Sequence, residues 1–144
     1  MKLYRGFNTF IELEKEDFLE VFGSYKKILD FDMVKIAYFN GKAVGFAIGI
    51  PNYHNKVYHL NNLKNLMEVM KIKKNCKDFL ITYMGVDEGH KGLARALSQL
   101  LLIELSKKDA TFVGALIKEG TPTSCIVKEV LNFKYNYVLM NKKL

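Results

Sequence analysis

The run Asp78–Ser106 has the residue pattern of an anion-binding turn. It reads DFLITYMGVDEGHKGLARALSQLLLIELS. An apolar, strand-like stretch from Phe79 to Val86 leads into a short turn containing Gly89 and Gly92, and a helix-like stretch follows. Free N–H groups at a helix start point toward an anion, the helix dipole favours negative charge there, and glycines let the backbone approach closely. This order of elements therefore predicts a turn that holds a phosphate group.

Two side chains in this turn, His90 and Lys91, would add positive charge to such a site. Residues of these types are equally typical of a loop that faces solvent. The sequence alone leaves both interpretations open.

The composition is that of one globular domain with a basic surface. The chain has 144 residues, of which 49% are hydrophobic and 26% charged, and its formal net charge is +7. We expect a single domain over residues 1–144. A basic chain is compatible with nucleic acid, an anionic membrane or an acidic ligand, and also with a solvated lysine-rich surface. Arginine, the usual bidentate reader of phosphates and bases, occurs only at Arg5 and Arg95, which disfavours nucleic-acid binding.

The cysteines and histidines predict no metal site. Cys76 and Cys125 form no CxxC pair, and the three histidines do not complete a ligand cluster with them. Two cysteines in this arrangement indicate a reducing compartment. The sequence shows no apolar run of about 18 residues and no signal-like leader, so we expect a cytoplasmic protein that neither spans nor binds a membrane.

Apolar periodicity predicts alternating helices and strands. The strongest local signal is Asn40-Gly41 between two apolar runs, which predicts an antiparallel hairpin because both turn residues need positive φ. The predicted elements are a helix 16–30, strands 33–39 and 44–50, a helix 57–73, a strand 79–86, a helix 92–107, a strand 111–117, a helix from 121 to about 131 and a strand 134–140. Hairpins combined with strand-helix-strand crossovers imply an α/β (mixed α+β) fold, a central mixed sheet flanked by helices.

Two helical stripes are predicted to form much of the core. In the helix 57–73 the stripe comprises Leu60, Leu63, Leu66, Met67 and Met70. In the helix 92–107 the buried set comprises Leu93, Leu97, Leu100, Leu101 and one of Ile103 and Leu105. Such stripes are more typical of core packing than of a cofactor site.

The ordered motifs resemble the GNAT superfamily of acetyl-CoA-dependent N-acetyltransferases. The hairpin MVKIAYFNGKAVGFAIGIPN is similar to the second and third strands of that family, and ITYMGV to the fourth. HKGLARAL resembles its glycine-rich acyl-CoA turn and the helix that follows, and KEVLNFKY its late helix-to-strand element. The resemblance covers about residues 16–144 and suggests a divergent or shortened bacterial member.

The resemblance implies transfer of an acetyl group from acetyl-CoA to the amine of a small molecule or peptide. It places the pantetheine arm between two splayed strands and the pyrophosphate on the following turn. The cofactor-binding residues that it implies are Met84, Gly85, Val86, Gly89, His90, Lys91, Gly92, Leu93 and Ala94. The pyrophosphate position agrees with the anion-binding turn predicted from the residues themselves.

An enzyme of this kind needs a base for the amine and an acid for the departing thiolate. The resemblance makes Tyr83 and Tyr135 the candidate catalytic residues, as acids, with Tyr137 beside them, and makes Glu88 and Glu119 candidate bases. Aromatic side chains also serve simply to pack a core or line a substrate site, and acidic loop residues are commonly just solvated.

The sequence departs from the family pattern at several positions. Gly89 stands where the family commonly has Arg or Gln, the turn before Gly92 is about two residues short, and Lys128 occupies a frequent tyrosine position. Residues 1–15 are few for the family's first strand and helix, so a sheet edge completed by a second subunit, as in a homodimer, is a further expectation. A catalytically silent CoA- or partner-binding module remains the alternative function, with a basic nucleic-acid-binding domain third.

Overall fold

Four strands form one mixed sheet in the order in which they occur along the chain. The computed structural model describes residues 14–59, 62–114 and 131–137. Its elements are α1 (Lys15–Tyr25), β1 (Val34–Phe39), β2 (Lys42–Pro51), α2 (Leu63–Lys74), β3 (Asp78–Val86), α3 (Leu93–Lys108) and β4 (Thr111–Gly114), with 3-10 turns at Phe31–Met33 and Lys56–His59. The neighbours β1, β2 and β3 are antiparallel, and β3 and β4 are parallel. The predicted mixed α/β fold is confirmed.

The β1–β2 hairpin forms where the Asn-Gly pair predicts it. Asn40 and Gly41 adopt positive φ angles of 48° and 75°. This is the twist that joins two antiparallel strands through a two-residue turn. The second strand ends at Pro51, whose missing N–H cannot continue a ladder.

One face of the sheet is covered by α3. Leu97, Leu101 and Leu105 repeat every four residues along this helix and are buried. They pack with Ala47 and Phe79 in the main hydrophobic core. Burial of three leucines in one stripe explains why this helix lies firmly against the sheet.

The predicted buried set of α3 needs one correction. Leu100 is exposed, and of the two alternatives Leu105 is buried whereas Ile103 is exposed. Leu100 lies about 100° and Ile103 about 160° around the helix from the centre of the buried stripe, and the sheet has room for only one face of the helix.

The opposite face of the sheet is approached by α2. Since neighbouring strand residues alternate between faces, Ile50 lies opposite the Ala47 side. There it packs against a second cluster formed by Ile28, Tyr53 and Val69. The Tyr53 hydroxyl donates to the carbonyl of Ile28 at 2.6 Å, and burial raises its pKa.

The predicted core stripe of α2 is wrong at three of its five members, whereas Leu66 is half-buried. Leu63, Met67 and Met70 are 71%, 61% and 50% exposed, whereas Val69 is only 1% exposed. The helix has apolar residues on two sides, and the sheet packs against the side that contains Val69 and Ile72. The stripe's fifth predicted member, Leu60, lies outside the described residues.

Several predicted boundaries also change. α2 begins at Leu63, not at residue 57, because the Asn62 side chain caps it by accepting from the N–H of Lys64 at 2.9 Å. α1 ends at Tyr25 instead of residue 30, and a turn follows.

Residues 131–137 contain no helix or strand and are exposed, so the predicted strand 134–140 is wrong over 134–137. Three predicted segments lie outside the described residues. They are the helix from residue 121, except for residue 131, residues 115–117 of the strand 111–117, and residues 138–140 of the strand 134–140.

Ion pairs join the C-terminal half of α3 to neighbouring segments. Glu104 lies 3.2 Å from the ammonium of Lys35 on β1, and hydrogen bonds from Lys35 and then Lys107 lower its pKa. Lys108 contacts Asp30 at 3.2 Å and Asp32 at 3.0 Å. Burial opposes the charge of Lys108, but its hydrogen bonds to the two aspartates outweigh this effect and raise its pKa.

Candidate functional site

The strand β3 has β4 beside it along only half of its length. Its first four residues pair with β4, from Asp78 opposite Thr111 to Ile81 opposite Gly114. The remaining segment, 82–86, continues along β2, and no strand of the described residues pairs with its other edge. This segment contains Met84, Gly85 and Val86, so the predicted pantetheine-binding residues lie at a strand edge that has no partner strand among the described residues.

A β-bulge lies where this pairing ends. Along β2, Ile48 is opposite Tyr83 and Gly49 is opposite Ile81, so Thr82 is the extra residue of the bulge. A bulge bends its strand and increases the local twist. β3 therefore bends directly after its last described pairing with β4, at Ile81.

The Thr82 side chain is unusual because its hydroxyl oxygen is buried without a hydrogen-bond partner in the part of the chain that the structure describes. Such a group costs about 1–3 kcal/mol relative to a satisfied one. Sequence analysis missed this residue, since a threonine within an apolar strand gives no signal of a bulge.

The turn between β3 and α3 has the predicted left-handed glycines. Gly89 and Gly92 have φ angles of 94° and 84°, which favour glycine. A side chain added at either position would meet no atom within 4 Å, so the backbone faces open space at both. The Asp87 N–H donates to the carbonyl of Val44 at 2.8 Å and fixes the start of the turn to β2.

The N-terminus of α3 has no side-chain cap. Gly92 is the N-cap residue, and it has no side chain to accept from the first-turn amides. An uncapped helix start keeps backbone N–H groups for another acceptor, and the helix dipole favours an anion there. Leu93 and Ala94 form the beginning of this first turn.

The two charged residues of the turn have different environments. The His90 ring packs edge-on against Phe39, with ring centroids 5.5 Å apart, so His90 is a packed residue that leaves the glycines uncovered. Lys91 is exposed. A small cavity of about 370 Å³ adjoins both; the residues lining it are Ala37, Tyr38, Phe39, Val44, His90, Lys91, Gly92, Leu93 and Ala96.

Tyr83 lies in the open half of β3, next to the bulge. It is half-buried, and burial together with the nearby Tyr25 raises its pKa, so the phenol keeps its proton. Met84, the next residue, lies on the α3 side, where its sulfur is 3.8 Å from the Ser98 hydroxyl. By strand alternation Tyr83 lies on the opposite face.

The other candidate acids and bases lie elsewhere or outside the described residues. Tyr135 is 72% exposed, and its ring packs edge-on against Phe133 in segment 131–137, which has no regular structure. Tyr137 is exposed in the same segment, and Glu119 lies outside the described residues. Glu88 is exposed in the turn. The catalytic role of Tyr135 therefore stays a sequence prediction.

Residues 14–59, 62–114 and 131–137 contain neither a candidate metal site nor a candidate membrane-spanning helix. No group of three or more His, Cys, Asp or Glu side chains is arranged there to hold a metal ion. No helix of this part of the chain is both long and apolar enough to cross a membrane.

The fold is similar to that of a known acetyltransferase. A solved structure of aminoglycoside N-acetyltransferase AAC(6')-Iy in complex with CoA superposes with a TM-score of 0.50 over 90% of each chain, at 16% sequence identity. No protein-family model and no curated protein sequence matches the chain. The structural likeness supports a GNAT-like fold, as the sequence motifs imply.

Proposed function

We propose that the protein transfers an acetyl group from acetyl-CoA to a primary amine. The observation that carries this proposal is the β3–α3 junction: a strand edge without a partner among the described residues leads directly into a glycine turn and an uncapped helix start. The shared fold with a CoA-bound acetyltransferase supports it.

The junction offers complementary contacts to the two parts of CoA. The peptide groups of residues 84–86 would pair with the amides of the pantetheine arm, as a neighbouring strand would. The N–H groups of residues 89–94 would hold the pyrophosphate, apart from that of Leu93, which donates to the carbonyl of His90 at 3.2 Å, and Lys91 would add positive charge. The open space at Gly89 and Gly92 allows the phosphates to approach the backbone.

The chemistry requires two proton transfers. The amine nitrogen forms a bond to the thioester carbonyl carbon as the carbon–sulfur bond breaks, the nitrogen loses a proton to a base, and the sulfur gains one from an acid. Tyr83 is the candidate acid best supported by geometry, because it lies in the open half of β3 and its raised pKa keeps it protonated. Tyr135 stays a second candidate, and water or Glu88 would serve as the base.

The acceptor is proposed to be a small-molecule or peptide amine. The structural neighbour is by name an aminoglycoside acetyltransferase, which is an example of a small-molecule acceptor. A cytoplasmic location and a homodimer remain predictions from the sequence.

Release of free thiol from acetyl-CoA tests this function. We expect amine-dependent thiol release when the protein is offered a panel of small-molecule and peptide amines. Lys91→Gln should raise KM for acetyl-CoA several-fold, because it removes a charge beside the pyrophosphate. Lys74→Gln, which removes an exposed lysine from the C-terminal end of α2, close to Lys108 at the other end of α3, is the matched control and should leave KM unchanged.

The second candidate function is a CoA-binding module without catalytic activity. Gly89 favours it, because the chain has glycine at a position where the GNAT family commonly has Arg or Gln. CoA would then stabilise the protein although no amine supports thiol release. Thiol release with any amine above the rate without protein would reject this candidate.

A further inference from the structure

The helix α2 has an exposed apolar face in addition to its buried one. Leu63, Met67 and Met70 are spaced by four and three residues, so they lie in one row along the helix, and all are at least half exposed. Lys74 continues the row by four more residues. We call this row, Leu63, Met67, Met70 and Lys74, the outer face of α2.

Lysines border the outer face. Lys64 and Lys71 lie seven residues apart along one side of it. Within the residues that the structure describes, the side chains of Lys64, Lys71 and Lys74 form no ion pair. The nearest acidic side chain on the helix, Glu68, is already bound by Lys56 at 2.8 Å. The carboxylate of Glu68 also interacts electrostatically with Lys64 and Lys71 and offsets their charge in part, so the border keeps a net positive charge within the described residues.

The outer face ends in a concave surface. A cavity of about 800 Å³ lies at the C-terminal end of α2; the residues lining it are Asp30, Met70, Lys71, Lys73, Lys74, Asn75 and Lys108. Its one carboxylate, Asp30, is paired with Lys108. Lys73 donates to the backbone carbonyl of Lys27 at 3.1 Å. The ammonium groups of Lys71 and Lys74 remain as the charges that an incoming group would meet.

We propose that the outer face of α2 and this cavity dock an acidic amphipathic helix of a partner protein. Apolar side chains of the partner would pack on Leu63, Met67 and Met70, and its carboxylates would meet Lys71 and Lys74. Recognition of an amphipathic helix by a row of apolar residues is a common mode of peptide binding. Methionine suits such a surface because its flexible thioether adapts to the partner.

Charge and shape favour an acidic amphipathic helix over a second copy of the chain, a membrane or a nucleic acid at the outer face of α2. A second copy of the chain would bring the same lysines to the interface, and like charges oppose each other there. A membrane is a flat surface and favours a longer helix with aromatic residues, whereas this face is short, lacks aromatic residues and ends in a concavity. Nucleic acid would make no use of the apolar row and commonly requires arginine.

The docking surface is separate from the proposed CoA site. Lys108 at the C-terminus of α3 lines the cavity, whereas the glycine turn lies at the N-terminus of the same helix. A helix of this length spans about 24 Å. Partner binding and acetyl transfer can therefore be measured independently.

A designed peptide tests the proposal. The probe is a fluorescein-labelled peptide of roughly 20 residues with leucines in one helical row and glutamates elsewhere, and the comparison peptide has the same composition in scrambled order. By fluorescence anisotropy with the full chain, we expect the ordered peptide to bind at least about tenfold more tightly than the scrambled one, because only the ordered peptide presents a continuous apolar row.

Variants locate the binding surface. Lys71→Glu should weaken binding of the ordered peptide about tenfold, since it replaces an attraction by a repulsion. Met67→Ser should weaken it several-fold by removing an apolar contact. Lys42→Glu, which makes the same charge change on an exposed lysine outside the surface, should have a much smaller effect. Far-UV circular dichroism of each variant checks that its fold is retained.

Three results would overturn the proposal. The first is equal binding of the ordered and scrambled peptides, which would mean that the protein recognises only the charge of the peptide. The second is tighter binding to vesicles containing phosphatidylserine than to the ordered peptide. The third is a concentration-dependent dimer in sedimentation that Met67→Ser abolishes, which would make a second copy the occupant.

Discussion

The two central helices, α3 and α2, have similar apolar content but contact the sheet differently. In α3 a single row, Leu97, Leu101 and Leu105, is buried; it belongs to the set that the sequence predicts, although that set wrongly includes Leu100. In α2 three members of the predicted row, Leu63, Met67 and Met70, are exposed, and Val69 on another side is buried. Apolar periodicity thus identifies both helices but locates the buried face more accurately in α3.

The difference arises from the surfaces on which the helices pack. α3 covers Gly45 and Ala47 of β2, and these small residues let a row of leucines come close. α2 packs through a few residues against Ile28 and Tyr53, so its contact with the sheet is narrow. A narrow contact leaves the second apolar row of α2 available for another surface.

Truncation of one residue in each row gives the largest expected contrast. Leu101→Ala should lower the free energy of unfolding by about 2–5 kcal/mol, because Leu101 is fully buried and its removal leaves a cavity. Met67→Ala should change it by less than about 0.5 kcal/mol, because Met67 is mainly exposed. Urea unfolding of both variants measures the contrast, and equal losses would show that the outer face of α2 is part of the core.

Glycine replacements test the close approach of α3. A Cβ at Gly45 would lie 3.1 Å from Leu93 Cδ2 and 3.3 Å from the carbonyl oxygen of Gly85. Gly45→Ala should therefore cost about 1–3 kcal/mol through crowding. Gly23→Ala is the matched control in α1, where the added methyl meets nothing within 4 Å, and it should stabilise by up to about 1 kcal/mol. A stabilised Gly45→Ala variant would contradict the packing of α3 described above.

Thr82→Val tests the bulge in β3. Valine has the shape of threonine without the hydroxyl that lacks a hydrogen-bond partner, so we expect a stability gain of about 1 kcal/mol, or a rise in Tm of about 3 °C. Thermal unfolding monitored by circular dichroism measures it. A fall in Tm would mean that the hydroxyl has a partner in the folded protein, and Thr82→Ser would then retain the stability.

The smallest effect is expected from the ion pair between α3 and β1. The Lys35 contact lowers the pKa of Glu104, so the pair stabilises the fold above the unfolded-state value of about 4.3 and is lost as the pH falls through the lowered value. Glu104→Gln should make stability less dependent on pH below about 5. Glu20→Gln on the exposed side of α1 is the control, and identical pH profiles for wild type and Glu104→Gln would refute the pair's contribution.

Local signals predict much of the fold. The Asn40-Gly41 pair specifies its turn because both residues must adopt positive φ, and the leucines of α3 specify a helix with one buried face. Two features were missed for different reasons. The start of α2 is set by a local signal, the Asn62 cap, which the apolar periodicity does not contain. Residues 134–137 alternate in sequence but have no neighbouring strand in the described residues, and such pairing depends on tertiary contacts.

The candidate site is predictable only in part. The two glycines were recognised because their conformation follows from their residue type, and the structure gives both positive φ. The bulge at Thr82 and the packing of His90 on Phe39 depend on strand register and on a contact distant in sequence. No pattern in the chain encodes either feature.

The most direct test of the central claim is the melting temperature of the full chain in the presence of CoA. Because CoA should bind the native state at the β3–α3 junction, we expect Tm to rise with CoA concentration, with a gain of about 2.7 kcal/mol at a hundred times Kd. Lys91→Gln should reduce this rise, and Lys74→Gln should not. An unchanged Tm of the wild-type protein at millimolar CoA would contradict the assignment.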